Sequence, residues 1–466
     1  MNRSIIQGGM GIYISSPHLA NTCSRAGVLG TVSCTGAERV LVHLLQRGDV
    51  GGHCRRVLSH FPFPEIAERI LVKYFIEGGK PVDQDFKEVP MFSMRPRRDL
   101  IELAIVASFA LVWLAKEGHD GPISVNYLEK LQIGHIYHLT GAMLAEVDFV
   151  TMGAGLTRQI PGVLDAIASG GNPSYLVYVE NSTRDNEISF APREFLGEKY
   201  PRELKRPGFL PIVSTDVLAK RMAERLPSGS IQGFVIELPT AGGHNAPSRT
   251  KGVFDETGQP VYGKKDEVAF NVLRDLGIPF WIGGSFASPE GLVRAQALGA
   301  VGIQAGSIFA LSEDSGMDPF YRAEMRRLGY RGELAVRTDP SASPTGFPFK
   351  VPQLAGTMSE LEVYTARERN CSRKALQFPA ERADGRIVFR CGAEPVEDYL
   401  RKGGRLEDTV GVRCLCNGLF SAAGIGDPKE PPIFTMGDDV SFLRHLMVDE
   451  NSSYWAIDAI AWLSSR

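Results

Sequence analysis

The chain has 466 residues, 43% of them hydrophobic and 23% charged, with a net charge of -3. This is enough material for one large barrel or for two or three smaller domains, and the composition excludes a disordered or collagen-like chain. With no basic excess, nothing in the charge points to a nucleic-acid partner.

Short apolar runs recur along the first two thirds of the chain, each followed by a helical pattern, as in a parallel α/β fold. The strand-like runs are Ser4 to Gly9, Val28 to Ser33, Pro122 to Asn126, Val147 to Gly153, Phe209 to Ser214, Gln232 to Leu238, Ile278 to Gly283 and Ala300 to Ala305. Helices are expected at Pro17 to Ala26, Gly36 to Gln46, Glu129 to Ala145, Ile160 to Ser169, Asp216 to Leu226, Lys265 to Leu276, Pro289 to Leu298 and Pro319 to Leu328. Eight such pairs predict a TIM barrel over residues 1-330.

Two insertions interrupt the repeat. Residues 49-120 add helices after the second strand, with a joint at Phe61 to Pro64 and an apolar helix around Leu100 to Ala115. That helix contains Glu102 and falls short of the ~20 apolar residues of a bilayer span, so it is expected to be buried or to face another subunit. Residues 173-206 predict a β-hairpin before the fifth strand. Residues 331-466 form a C-terminal extension, expected to pack on the barrel and ending in an apolar-periodic helix, Tyr454 to Leu463. No leader pattern follows Met1, and a cytoplasmic location is expected.

In a TIM barrel the ligand sits at the C-terminal ends of the strands, and here those ends are rich in glycine. The sixth strand runs into AGGHNAP, which sets His244 just beyond Gly242 and Gly243. The seventh and eighth end in IGGSFAS and QAGSIF, where such barrels bind phosphate through backbone N–H groups. Gly283, Gly284, Gly306 and Ser307 are the expected phosphate ligands, with Ser285 beside them in the cofactor-binding set. Gly8, Gly9 and Met10 are expected against the face of a ring system, with Asn126 and Gln304 at its edge and Gly153 and Ser214 on neighbouring strand ends.

The seven cysteines are an odd number in a chain with no export pattern, which argues against a disulfide framework. Cys23, Cys34 and Cys54 read as packing residues, with Cys34 placed to border the site. Cys371, Cys391, Cys414 and Cys416 are a weak metal-ligand set, because their spacing is not a repeated CxxC pair. Packing is the expected role, and no metal is expected.

IIQGGMG, SVNYLEK, AGGHNAP, IGGSFASPEGL, QAGSIF and the acidic EDSG at Glu313 to Gly316 together resemble the nitronate monooxygenase (2-nitropropane dioxygenase) family of FMN-dependent TIM barrels, relatives of the FMN-dependent enoyl-ACP reductases. The resemblance covers Ser4 to about Leu328. It implies bound FMN, with His244 as the catalytic acid/base beside the flavin ring. It further implies oxidation of a nitronate or similar carbon acid with O2, with reduction of an enoyl thioester, NAD(P)H serving as a transient reductant, as the alternative. The substrate is then a small molecule or an acyl thioester, with an acyl carrier protein and a homo-oligomer as implied partners and neither nucleic acid nor membrane. Thr240 stands where a glutamate commonly precedes AGGH, and Asn245-Ala246-Pro247 where a glycine commonly follows. These departures bear on the substrate and leave the phosphate-side glycines unaffected.

Overall fold

The computed structural model describes residues 4–250 and 252–465. The barrel strands are β1 (Ile5–Gln7), β2 (Gly30–Ser33), β3 (Ile123–Leu128), β4 (Phe149–Gly153), β5 (Gly208–Val213), β6 (Phe234–Glu237), β7 (Phe280–Gly283) and β8 (Gly302–Ala305). All neighbours pair in parallel, in the order β1-β8-β7-β6-β5-β4-β3-β2. The ring closes between its ends through Gln7 N–H to Leu29 O at 2.9 Å and Leu29 N–H to Ile5 O at 3.2 Å. This is the TIM barrel expected from the repeat.

Alternation along the strands divides the apolar residues into two layers. Ile6, Leu29, Leu210, Val235 and Trp281 pack together in one small cluster, whereas Ile5, Val32, Val125, Phe209 and Ile282 belong to the large core shared with the helices. Close approaches explain several glycines: a Cβ at Gly30 would lie 2.1 Å from Ala20 O and one at Gly141 would lie 2.0 Å from Ile105 O. Gly141 lies in the helix His135–Leu144, which packs on the helix Arg98–Lys116.

That second helix is the apolar segment from the first insertion, and it is buried in the core. Its Glu102 is neutralised by Arg69 at 2.8 Å and Arg98 at 3.0 Å, as a carboxylate inside an apolar helix requires. Among the described residues no helix is long and apolar enough to cross a membrane. The second insertion forms the expected hairpin, Ser174–Leu176 with Glu187–Ser189. Two helices are shorter than the pattern predicts. After β3 a 3-10 turn, Gln132–Gly134, precedes the helix His135–Leu144. After β6 only Phe270–Asp275 is α-helical, because Lys264–Asp266 forms a separate turn.

Residues beyond the helix Pro319–Arg331 wrap the mouth of the barrel. An antiparallel hairpin, Val336–Asp339 with Phe349–Pro352, reaches the loop after β6. A second hairpin, Phe378–Glu381 with Ile387–Arg390, joins the Ser174–Ser189 insertion through Glu180 N–H to Pro379 O at 3.0 Å. The helix Ala456–Leu463 returns to the barrel, where Asp314 accepts its Ala456 N–H at 2.7 Å.

Candidate active site

The loop after β6 is held from both sides. Pro239 and the left-handed Gly243 (φ +86) end the strand, and the hairpin strand Phe349–Pro352 then pairs with it. Lys350 N–H donates to Gly243 O at 3.0 Å and Asn245 N–H to Pro348 O at 2.8 Å. His244 therefore has a fixed backbone. Its Nε2 is hydrogen-bonded to Ser343 Oγ at 2.7 Å, and its ring centroid lies 4.8 Å from that of Phe349. Burial, reinforced by the charge of Lys130, lowers the imidazole pKa to about 4. His244 is neutral at neutral pH.

One carboxyl shares this environment. Glu237, the last residue of β6, has no side-chain hydrogen-bond partner among the described residues. Burial raises its pKa to about 8. A protonated carboxyl and a neutral imidazole thus border the same space, an arrangement in which environment separates an acid from a base. Sequence reasoning misses Glu237, although the strand-end rule applied to VIELP reaches it, because an acidic end is not the glycine signal that marks cofactor contact. Ser343 and Phe349 carry no such signal, since only the long-range fold brings them to His244.

A cavity of about 150 Å³ lies over the barrel mouth, and Gly9, Asn126, Gly153, Gly242, Gly243, His244 and Gln304 all line it together with Glu237. A second cavity, about 370 Å³, shares Glu237 and His244 and includes Ser214 and Lys130. Gly8 and Met10 stand at the edge: Gly8 N–H donates to Ala305 O at 2.8 Å, and Met10 faces Gly306, whose Cβ position lies 3.5 Å from its sulfur. The glycines have sharper jobs than mere turning. A Cβ at Gly9 would lie 2.2 Å from Asn126 Cβ, so Gly9 admits the Asn126 side chain. A Cβ at Gly242 would lie 2.7 Å from the Met436 carbonyl carbon, so Gly242 admits the C-terminal segment.

On the other side of the mouth, Gly283, Gly284, Ser285, Gly306 and Ser307 lie together at the ends of β7 and β8. Gly284 and Ser285 are left-handed (φ +103 and +52). Residues Thr435 to Asp438 cross beside them. Gly243 N–H donates to Thr435 Oγ1 at 2.7 Å, Gly437 N–H to Ser307 Oγ at 2.9 Å and Asp438 N–H to Thr240 O at 3.1 Å. Asp438 is anchored in turn by the buried Lys350 at 2.5 Å.

These residues fit a flavin mononucleotide at both ends. The amides of Gly284, Ser285 and Gly306 donate to no acceptor among the described residues, and all three residues are partly exposed, as an anion site requires. At the other end, the Gln304 side-chain amide also lacks a partner among the described residues while lining the 150 Å³ cavity. Asn126 is turned by its bond to Thr151 Oγ1 at 3.3 Å, which leaves its carbonyl oxygen free for a ligand.

Of the barrel cysteines, Cys23 and Cys54 are buried in the core as expected, and Cys34 borders a larger groove of about 750 Å³. This groove shares Tyr127, Leu128, Leu131 and Leu376 with the smaller cavity.

No protein-family model and no curated protein matches the chain. Solved structures do resemble it at low identity. A mutant of FabK from Thermotoga maritima aligns at 15% identity, covering 99% of this chain and 92% of that one, with a TM-score of 0.45. A nitroalkane oxidase from Streptomyces ansochromogenes aligns at 13%, covering 99% and 94%, with a TM-score of 0.45. The enoyl reductase domain of MlnA, from the macrolactin biosynthesis cluster of Bacillus amyloliquefaciens, aligns at 12%, covering 99% and 94%, with a TM-score of 0.48.

Proposed function

We propose that the chain is an FMN-dependent oxidoreductase whose protonated Glu237 and neutral His244 act on a carbonyl-type substrate held over the flavin. The observation that carries this reading is the convergence of Glu237, His244, Asn126 and Gln304 on one glycine-lined cavity at the barrel mouth. When bound, FMN supplies two-electron chemistry at a site that the protein orients and shields from water.

The side chains divide the remaining work. When the Ser343 hydroxyl donates to Nε2, the His244 proton resides on Nδ1 and is available to a substrate oxygen. A proton on the Glu237 carboxyl at neutral pH suits a step in which carbon or oxygen must be protonated as electrons arrive. Reduction of an enoyl thioester has that demand: two electrons and one proton enter at the β-carbon, and a second proton, given by Glu237, enters at the α-carbon. Oxidation of a nitronate makes no such demand, because its substrate is already an anion. The 750 Å³ groove beside the ring cavity weighs the same way, since a small nitronate leaves most of it unused, whereas an extended acyl chain fills it.

Anaerobic mixing of the flavin-loaded protein with NAD(P)H and, separately, with an alkyl nitronate tests the choice. Bleaching by NAD(P)H, followed by reoxidation with a crotonyl thioester, is expected. Bleaching by the nitronate alone would reverse the order of the two readings, and no response to either would sink the oxidoreductase assignment.

A further inference from the structure

Lys130 stands two residues beyond β3, in the wall that the 750 Å³ groove shares with the 370 Å³ cavity. Four other lysines and arginines line the groove, and each has its counterion in the protein. Lys374 pairs with Glu88 at 3.1 Å and Arg405 with Asp408 at 2.9 Å, while Arg39 pairs with Glu38 and Arg390 with Glu180. Lys130 is the exception. Among the described residues its ammonium has neither an ion pair nor a hydrogen bond, and it rests over the Phe347 ring, 5.3 Å from the centroid. The neighbouring carboxyl, Glu129, is engaged instead by the Tyr175 hydroxyl at 3.1 Å and the Gln132 side-chain amide at 3.2 Å.

The 370 Å³ cavity, which Glu237 and His244 also line, has a second free cation. Arg249, in the loop after β6, lines it, and its guanidinium likewise has no partner among the described residues. Ser214 adds a hydroxyl that has no hydrogen bond among them. Of the two carboxyls in the lining, Glu237 is protonated at neutral pH and only Asp266 is charged. Asp266 is already committed to the backbone N–H groups of Arg249 and Gly263, each at 2.8 Å. The lining is therefore net positive. A partly buried ammonium gives up hydration, and without a counterion the fold returns nothing for it.

We propose that this cavity binds a phosphoryl group, with Lys130 as its principal counterion, Arg249 at the rim and Ser214 as a hydroxyl donor. Its role rests on the reading of Glu237 and His244 as the reacting groups: a phosphate held here belongs to a ligand whose reactive end lies between them. A phosphoryl group presents three oxygens to the three donors, whereas a carboxylate presents two. The flavin phosphate is a different group, because Gly284, Ser285 and Gly306 lie outside this lining. A nucleotide-linked thioester and a nicotinamide dinucleotide both carry phosphate, and that shared chemistry is what the cavity recognises.

Calorimetric titration of the full-length, flavin-loaded protein tests the site with the flavin phosphate position already filled. Sodium pyrophosphate is the first probe. It needs no turnover, so it reads the site even if the oxidoreductase assignment fails. The wild type is expected to bind it, with affinity reduced about tenfold in Lys130→Gln, the share of one hydrogen bond to a charged group. Arg249→Gln should lose less, and Lys130→Arg should retain most of the affinity. Crotonyl-coenzyme A against the phosphate-free crotonyl N-acetylcysteamine thioester, and NADP+ against N-methylnicotinamide, then identify the source. The phosphate-bearing ligand that occupies the cavity weakens in Lys130→Gln, and its phosphate-free counterpart does not. No pyrophosphate binding by the wild type, undiminished binding in Lys130→Gln, or equal weakening of phosphate-bearing and phosphate-free ligands would each overturn the assignment.

Discussion

The cavity over the barrel has two walls with different origins, and comparing them shows how a large chain builds a site. The barrel wall comes from strand ends: Gly9, Asn126, Gly153, Glu237 and Gln304 are placed by the regular geometry of eight parallel strands. The opposite wall comes from the extension: Phe349, Leu376, Leu415, Leu419 and Thr435 arrive by long loops and two hairpins. His244 belongs to both, because its backbone continues β6 while its ring and its hydrogen bond are set by Phe349 and Ser343. In the proposed chemistry the barrel wall carries the reacting groups, and the extension fixes their environment. Substitutions in the first should therefore cost turnover, and substitutions in the second should cost occupancy or pKa control.

The largest effect is expected at His244. His244→Ala should keep the fold and the bound flavin, since the phosphate-side amides of Gly284, Ser285 and Gly306 do not depend on it, while kcat/KM falls by about 10²- to 10³-fold, the usual worth of a hydrogen-bond donor placed where charge develops on a substrate oxygen. Flavin absorbance measured on the same samples separates lost chemistry from lost cofactor. Wild-type turnover in the variant would remove the histidine from the mechanism.

Glu237→Gln sharpens the comparison through pH. A carboxyl with a pKa of about 8 in the folded chain keeps its proton through neutrality, so kcat/KM should decline above about pH 8, and the variant should lose that limb along with about 10²-fold in rate, the lower end of a positioned acid's worth because water can also protonate the α-carbon. Stability has a definite sign. The folded state holds a proton that the unfolded chain, with the ordinary value of 4.5, has lost, so folding weakens as pH rises from 4.5 to about 8. His244 acts in the lower window: its folded pKa of about 4 lies below the ordinary 6.5, so the stability it supports is lost as pH falls from 6.5 toward 4. Denaturant midpoints across pH should show both slopes, and Glu237→Gln should flatten only the upper one.

The same division explains what is legible in the sequence. Strand positions follow from apolar runs, and barrel geometry converts a strand position into a site position, so Gly9, Asn126, Gly153, Gly242, Gly243, His244 and Gln304 can be assigned to one cavity from the sequence. Glu237 is equally placed but carries no mark of its own, because glycine ends signal cofactor contact and an acidic end does not. The extension has no repeat and no strand-order rule to translate sequence into place. Nothing local in Thr435 to Asp438 says that it will lie against Thr240 and Ser307, and nothing in Ser343 says that it will hold an imidazole. The pattern overextends the helix after β6 for a related reason: Lys264 to Glu267 is charged enough to suit an exposed helix, but the turn at Lys264–Asp266 closes on Gly263 through Asp266 instead.

A smaller effect is expected where the two walls meet on the phosphate side. Gly284 is left-handed, and a Cβ there would lie 2.8 Å from Thr240 Oγ1 and 3.0 Å from the Ala241 amide nitrogen. Gly284→Val should therefore strain the backbone by about 1–3 kcal/mol and lower flavin occupancy after purification by several-fold. Gly437→Val approaches the same place from the extension, where its Cβ would lie 3.0 Å from Thr240 O and 3.4 Å from Ser307 Oγ. Equal loss of flavin in the two variants would mean that the extension is part of the cofactor site. Loss in Gly284→Val alone would confine that site to the barrel.

The smallest effect is expected at Ser343, and it isolates what the extension does for the histidine. Ser343 is buried, its Oγ meets His244 Nε2 at 2.7 Å, and its position is fixed by Thr345, through Oγ1 at 2.8 Å and the backbone N–H at 3.2 Å. Ser343→Ala removes the partner that selects the His244 tautomer but leaves the ring packed near Phe349, so the cavity keeps its shape. A hydrogen bond of this kind is worth about 0.5–1.5 kcal/mol, and a loss of roughly 2- to 10-fold in kcat is expected, with KM and flavin content nearly unchanged. The imidazole nitrogen shifts, followed by NMR on histidine-labelled protein, should move from one dominant tautomer toward a mixture. If Ser343→Ala leaves both the tautomer ratio and kcat unchanged, the hairpin from Val336 to Pro352 only supports the loop after β6, and control of the imidazole belongs to the barrel alone.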